Sequence, residues 1–386
     1  MIAIATSVSV AGAACSSSTT AAGRGQLPAQ STAAQSRAPV SATGHGQTTP
    51  APWPERRLLR ETAAERITGQ VIDPATESTY LLALRRHAPV SGPWMLRRID
   101  LRTGSQRGGP SFTVGGIAMA AGYLWIYGLP RASSSPVIWQ IDPATLARVR
   151  LITLARLPPE FPGPWPAITA GPAGSVWIGS DRSLLRVDAG TGEQLAAATL
   201  PSGLVVSHIS ADPAAGDLYV SAARLAGGGM EGLVMLEYDA NSGHRLVVRS
   251  GGLMSDSVAG AELTAVPGGV WASFRTGLLG LTVHLSHDGL RMIRPPGPGV
   301  VSRPANGIFH WPMYETTVYA GGALWLANQV GIVACLDPRT GRVVASERVP
   351  QSQLILELAV DQARRTIIVG DGRGLAVITP PARCWR

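Results

Sequence analysis

One short pattern returns seven times between about residue 66 and the C-terminus, and it limits the fold more than any other property of the chain. Five copies place an aromatic ring three residues after a glycine: Gly122 before Trp125, Gly174 before Trp177, Gly216 before Tyr219, Gly268 before Trp271 and Gly322 before Trp325. Weaker copies centre on Tyr80 and Ile368, so successive anchors stand 45, 52, 42, 52, 54 and 43 residues apart. A unit of this length holds four short strands and cannot bury both of its faces alone. Copies must therefore seal one another side by side, which predicts an all-β chain folded as a seven-bladed β-propeller of four-stranded blades. We label the strands of each blade a to d from the axis outward.

A second repeat follows six of the seven anchors. It reads Asp100 to Gly104, Asp142 to Thr145, Asp188 to Gly192, Asp239 to Gly243 and Asp337 to Gly341, with a shortened copy at Ser286 to Gly289. The aspartate accepts backbone N–H groups ahead of it, Thr or Ser supports the same turn, and glycine supplies a positive φ. A carboxylate present in nearly every blade is explained by what all blades share, so these are read as turn caps rather than catalytic groups. The last blade runs out of chain after its third strand, and residues near Arg57 to Glu61 are expected to supply its strand d and close the ring.

The formal charge of +8 is concentrated early. Residues 1–107 carry twelve Arg against six acids, while the rest of the chain carries 21 against 19. The Arg pairs are scattered rather than aligned into a stripe, so no nucleic-acid partner is expected. All 33 basic residues are Arg, which excludes Schiff-base chemistry and a lysine base.

Residues 1–14 form a short apolar run ending in small residues just before Cys15. The run has the length of a signal-peptide core and is too short for a bilayer span. It resembles a bacterial lipoprotein signal, which implies lipidation of Cys15 and membrane attachment at the outer face of the cytoplasmic membrane. Plain secretion is the alternative, and a cytoplasmic chain with an unrelated tail is the third. Residues 15–54, rich in Ser, Thr, Ala and Pro, read as a tether, and residues 55–386 as the propeller. Of the other cysteines, Cys335 falls on a strand of blade six and Cys384 near the C-terminus. They form a bridge in an oxidising compartment or remain two thiols.

Connection lengths separate the two faces of the disc. The a-to-b and c-to-d turns are tight, whereas irregular loops are expected at Leu129 to Pro136, Leu157 to Pro166, Leu225 to Gly232 and Pro295 to Tyr314, all on the other face. Repeat proteins place variable loops on the binding face. Phe161 and Trp165 in one loop, and Phe309, Trp311 and Tyr314 in another, are candidate ligand-binding rings, with lids over the blade seams as the competing role. Counting back from the a-to-b turn puts His208, Glu262 and Glu357 at one site at the start of strand a, with Glu315 close to it. These residues form a candidate ring for a cation or a polar ligand at the channel mouth.

The combined pattern, Ile168 to Ile178 followed by Leu185 to Gly192, resembles the bacterial YVTN, NHL and virginiamycin-B-lyase-like propellers over about residues 60–382. That group includes lyases, lactonases, sensors and non-catalytic binders. The expectation is an exported, monomeric binding or sensing module of the cell envelope, without a cofactor, whose partner is an envelope protein, a peptide or a glycan. The alternative implied by the lyase members is a lyase or hydrolase using Mg or Ca held by Glu262, Glu315 and Glu357, with His208 or His310 as acid or base.

Overall fold

Gly-bounded runs of Val, Ile, Leu and Trp form short strands because their branched and aromatic side chains fill a pleated, half-buried surface. In blade three, strands Ala167–Ala170, Ser175–Ser180, Ser183–Asp188 and Gln194–Thr199 pair antiparallel in that order. The same unit recurs to give seven four-stranded blades in a ring. The computed structural model describes residues 52–60, 65–73, 75–85, 93–129, 137–153, 167–212, 214–226, 229–249, 258–276, 279–286, 289–293, 315–328, 331–349, 355–371 and 374–385.

Strand a of blades one and three to seven is, in order, Glu65–Asp73, Ala167–Ala170, Leu204–Asp212, Val258–Val266, Glu315–Ala320 and Ile355–Asp361. Blades one and two share one long strand, Gln106–Ala120, which serves as strand d of the first and strand a of the second. The ring closes as the sequence predicts. Glu55–Arg60 pairs with Gly374–Ile378, with Arg57 opposite Ala376, and completes blade seven. Each chain end thus removes an edge that would otherwise be open.

The aspartate turns are built alike. Asp188 Oδ1 accepts the N–H groups of Gly190 at 2.9 Å and Thr191 at 2.6 Å and the Thr191 hydroxyl at 3.0 Å. Asp239 accepts Asn241 N at 3.0 Å, Ser242 N at 2.7 Å and Ser242 Oγ at 2.9 Å. Backbone N–H donation comes first among the causes that hold the Asp100, Asp142, Asp188 and Asp239 carboxyls below the usual range.

Between blades, the anchors fill the seams. Trp125, Trp177, Trp271 and Trp325 are completely buried. Trp177 Nε1 crosses to the Ala240 carbonyl at 2.9 Å, Trp271 Nε1 to Pro338 at 2.8 Å and the Tyr80 hydroxyl to Pro143 at 3.0 Å. Each acceptor is the residue after the turn aspartate of the next blade. Trp125 Nε1 and Trp325 Nε1 donate instead within their own blades, to Ala120 at 3.3 Å and Ala320 at 3.1 Å, so it is the filling of the seam that asks for one large residue per repeat.

The expected loop from Leu225 to Gly232 is not an irregular loop. Strand b of blade four, Asp217–Ala226, and strand c, Gly229–Asp239, continue into it, with Leu225 opposite Met230 and Ala226 opposite Gly229.

Candidate functional site

Strand pairing defines the channel position more securely than counting from a turn. In every blade, one residue of strand a lies opposite the strand-b residue two places beyond the anchor. These residues are Gly69, Gly116, Ala167, His208, Glu262, Thr316 and Glu357. Blades one to three contribute only small residues, and blades four to seven contribute only polar ones. Packing is tight at Gly69, where a Cβ would stand 3.0 Å from Ile117 Cγ2 of blade two. The second set makes a polar arc.

Pairing also gives the position in blade six. Glu315 stands opposite Asn328, one place away, and the equivalent position is Thr316, opposite Ala327. His208 and Glu357 each follow a register break, between Val206 and His208 and between Ile355 and Glu357. Such bulges twist a strand and re-aim its side chains.

The arc is stitched from blade to blade. Leu263 N donates to His208 Nδ1 at 3.2 Å, and Ala265 N donates to Ser210 Oγ at 2.9 Å. Glu262 Oε1 accepts the Thr316 hydroxyl at 3.0 Å and Thr317 N at 3.3 Å. The Thr264 and Thr317 hydroxyls meet at 2.7 Å. The innermost strand has no further strand to pair with, so its N–H groups require other acceptors, and side chains of the preceding blade provide them.

These surroundings set the charge. His208 keeps some contact with solvent, yet the protein around it excludes enough water to push its pKa down to about 4. It is a neutral ring at pH 7, and because Nδ1 accepts a hydrogen bond, its proton resides on Nε2. Burial, and then the Glu262 carboxylate, push Glu357 up to about 8. Glu357 is therefore a neutral acid at pH 7 that offers an O–H donor. The arc presents donors at Glu357 and His208 beside the acceptor Glu262, which suits a polar ligand with both kinds of group.

Of the residues expected at the site, the structure brings His208, Glu262 and Glu357 to one level and adds Thr316. Phe161, Trp165, Phe309, His310, Trp311, Tyr314 and Cys15 lie outside the described residues. Among the described residues, no group of three or more His, Cys, Asp or Glu is arranged to hold a metal ion. Glu262 and Glu357 by themselves do not fill the shell of six or more oxygens that Mg or Ca takes. The structure joins Cys335 and Cys384 in a disulfide with Cα atoms 5.8 Å apart.

No protein family and no curated protein matches the sequence. Solved structures do. The chain is similar to U3-55K with a TM-score of 0.59 and 11% identity, over 86% of this chain and 100% of that one. It is similar to BamB from Moraxella catarrhalis with a TM-score of 0.50 and 16% identity, over 81% and 84%. Against the Kuenenia stuttgartiensis hydrazine synthase the values are 0.58 and 13%, over 87% and 99%. At these identities the likeness is one of fold.

Proposed function

We propose that this chain is a non-catalytic binding module, exported and held at the bacterial cell envelope through lipidated Cys15. Its partner, an envelope protein, a peptide or a glycan, docks on the face where the inner strands begin. The observation that carries this reading is the polar arc on the innermost strands, into which connections of unequal length lead. Strand d of blade one runs without a break into strand a of blade two. The connections into blades three and six instead run from Thr153 to Ala167 and from Ile293 to Glu315. The aspartate turns on the other face keep one form. Long, unequal connections leading into the strands that carry a polar arc are the pattern of a surface fitted to a partner.

The state of His208 supports binding over catalysis. Its Nδ1 is occupied, its Nε2 already carries a proton, and it charges only near pH 4, so it is no base at pH 7. The experiment is retention of an envelope protein or glycan on the immobilised protein, compared with a Trp165→Ala/Trp311→Ala variant and a Glu262→Gln/Glu357→Gln variant. Loss of retention in either variant supports the reading. Equal retention by both sinks it. Mass spectrometry of the mature N-terminus tests the anchor, and an unmodified Cys15 would remove it.

A second reading, a divalent-cation-dependent lyase or hydrolase, draws on one observation: the Glu262 carboxylate raises the pKa of Glu357. Two coupled carboxyls can trade a shared proton for a cation. Bound Mg or Ca in the purified protein, with a melting temperature that falls on chelation, would favour it over the first.

A further inference from the structure

The residue facing the anchor across strands b and c has one task in several blades. Arg98, opposite Tyr80, donates to the Ala144 carbonyl at 3.0 Å. Gln140, opposite Trp125, donates to Ala189 at 2.7 Å, and Arg186, opposite Trp177, donates to Asn241. Each reaches the aspartate turn of the next blade, so each staples a seam. The same position in blade six, opposite Trp325, is Cys335. The next blade there has no aspartate turn, because its strands c and d come from opposite ends of the chain. The C-terminal tail occupies that place.

Four contacts seat the tail. Cys384 bonds to Cys335, and the Trp385 ring packs on Trp325 with centroids 4.8 Å apart. Gly321 makes room, since a Cβ there would stand 2.7 Å from Trp385 Cε3. Thr379 N donates to the Pro54 carbonyl at 2.9 Å. Trp53, just ahead of the closing strand, is buried in the same apolar cluster as Cys335, Cys384 and Trp325. The tail and the start of the closing strand therefore share one seat.

We propose that the Cys335–Cys384 bridge is a redox-sensitive clasp on ring closure, holding the tail over Trp53 and thereby fixing the N-terminal strand to blade seven. Reduction by a dithiol delivers two electrons and two protons to the bridge and leaves the dithiol as its own disulfide. The tail then loses its covalent staple, Trp53 loses its cover, and Glu55–Arg60 opens from Gly374–Ile378. Blades one to five keep their seams, whose staples are noncovalent.

The test is amide hydrogen exchange on the full chain, oxidised and after dithiothreitol. The clasp predicts at least tenfold faster exchange in 52–60 and 374–385, with Ser175–Ser180 and Asp217–Ala226 unchanged. Unchanged exchange at both chain ends, or an equal loss in every blade, would overturn it. Cys335→Ala/Cys384→Ala should reproduce the reduced pattern without reductant, and if that variant does not fold, reduction of the wild-type chain still decides. Both sulfurs are buried, so the dithiol must wait for the tail to lift. Trp385→Ala should accordingly speed reduction, and an unaltered rate would also count against the clasp.

Discussion

The aspartate turns, present in five blades, and the channel position, present in all seven, belong to one ring, yet they have opposite habits. At the turns, Asp100, Asp142, Asp188, Asp239 and Asp337 each accept the N–H groups two and three residues ahead. At the channel, seven equivalent positions hold Gly, Gly, Ala, His, Glu, Thr and Glu. The contrast shows where to look for function in a repeat protein. Chemistry repeated in each blade builds the blade, and chemistry that breaks the repeat has to be explained by something met once.

The largest effect should come from the scaffold. Trp177→Ala removes a buried ring and its bond to Ala240, and should cost about 3–5 kcal/mol in urea unfolding. A cost near zero would mean that the seams do not hold the ring.

The channel should respond to pH where the turns do not. Glu357 has a raised pKa in the folded state, so its contribution to stability is present below the ordinary carboxyl value and lost as pH rises through about 8. His208 has a lowered one, so stability is lost as pH falls from its ordinary value through about 4. Glu357→Gln should flatten the alkaline arm, regaining about 2–3 kcal/mol at pH 9 once solvent relaxation is allowed for. His208→Gln should flatten the acid arm. Thermal melts from pH 4 to 9 would show both, and unchanged arms would mean that the channel groups are freely solvated.

Smaller effects sharpen the contrast. Asp239→Ala leaves two backbone N–H groups without their acceptor and should cost about 1 kcal/mol, with envelope-partner retention intact. Thr316→Val removes one hydroxyl bond to Glu262 and should cost about 0.5–1 kcal/mol, but it should weaken retention. Reversal of that order would place function at the turns.

Much of this was legible in the sequence, for reasons visible in particular residues. Trp125, Trp177, Trp271 and Trp325 stand out because seam packing forces one large ring per unit, and the turn aspartates stand out because a tight turn admits few residue types. Closure by a strand near Arg57 was expected, and Glu55–Arg60 pairs with Gly374–Ile378. Counting back from a-to-b turns of unequal length put Glu315 close to the ring position, and only strand pairing singles out its neighbour Thr316. Gly69, Gly116 and Ala167 carry no side-chain chemistry to announce a ring position. The seam staples did leave a signal: Arg98, Gln140, Arg186 and Cys335 all stand two residues before a turn aspartate. That offset carries meaning only once the neighbouring blade is in place.

The most direct test of a ring whose inner positions are not equivalent is a titration of the Glu357 carboxyl by carbon NMR, in the wild-type chain and in Glu262→Gln. The account predicts a midpoint near 8 that falls when the neighbouring charge is removed, since burial and Glu262 both raise it. A midpoint in the ordinary carboxylate range, or one indifferent to Glu262, would mean that blades five and seven do not face each other across a shared channel.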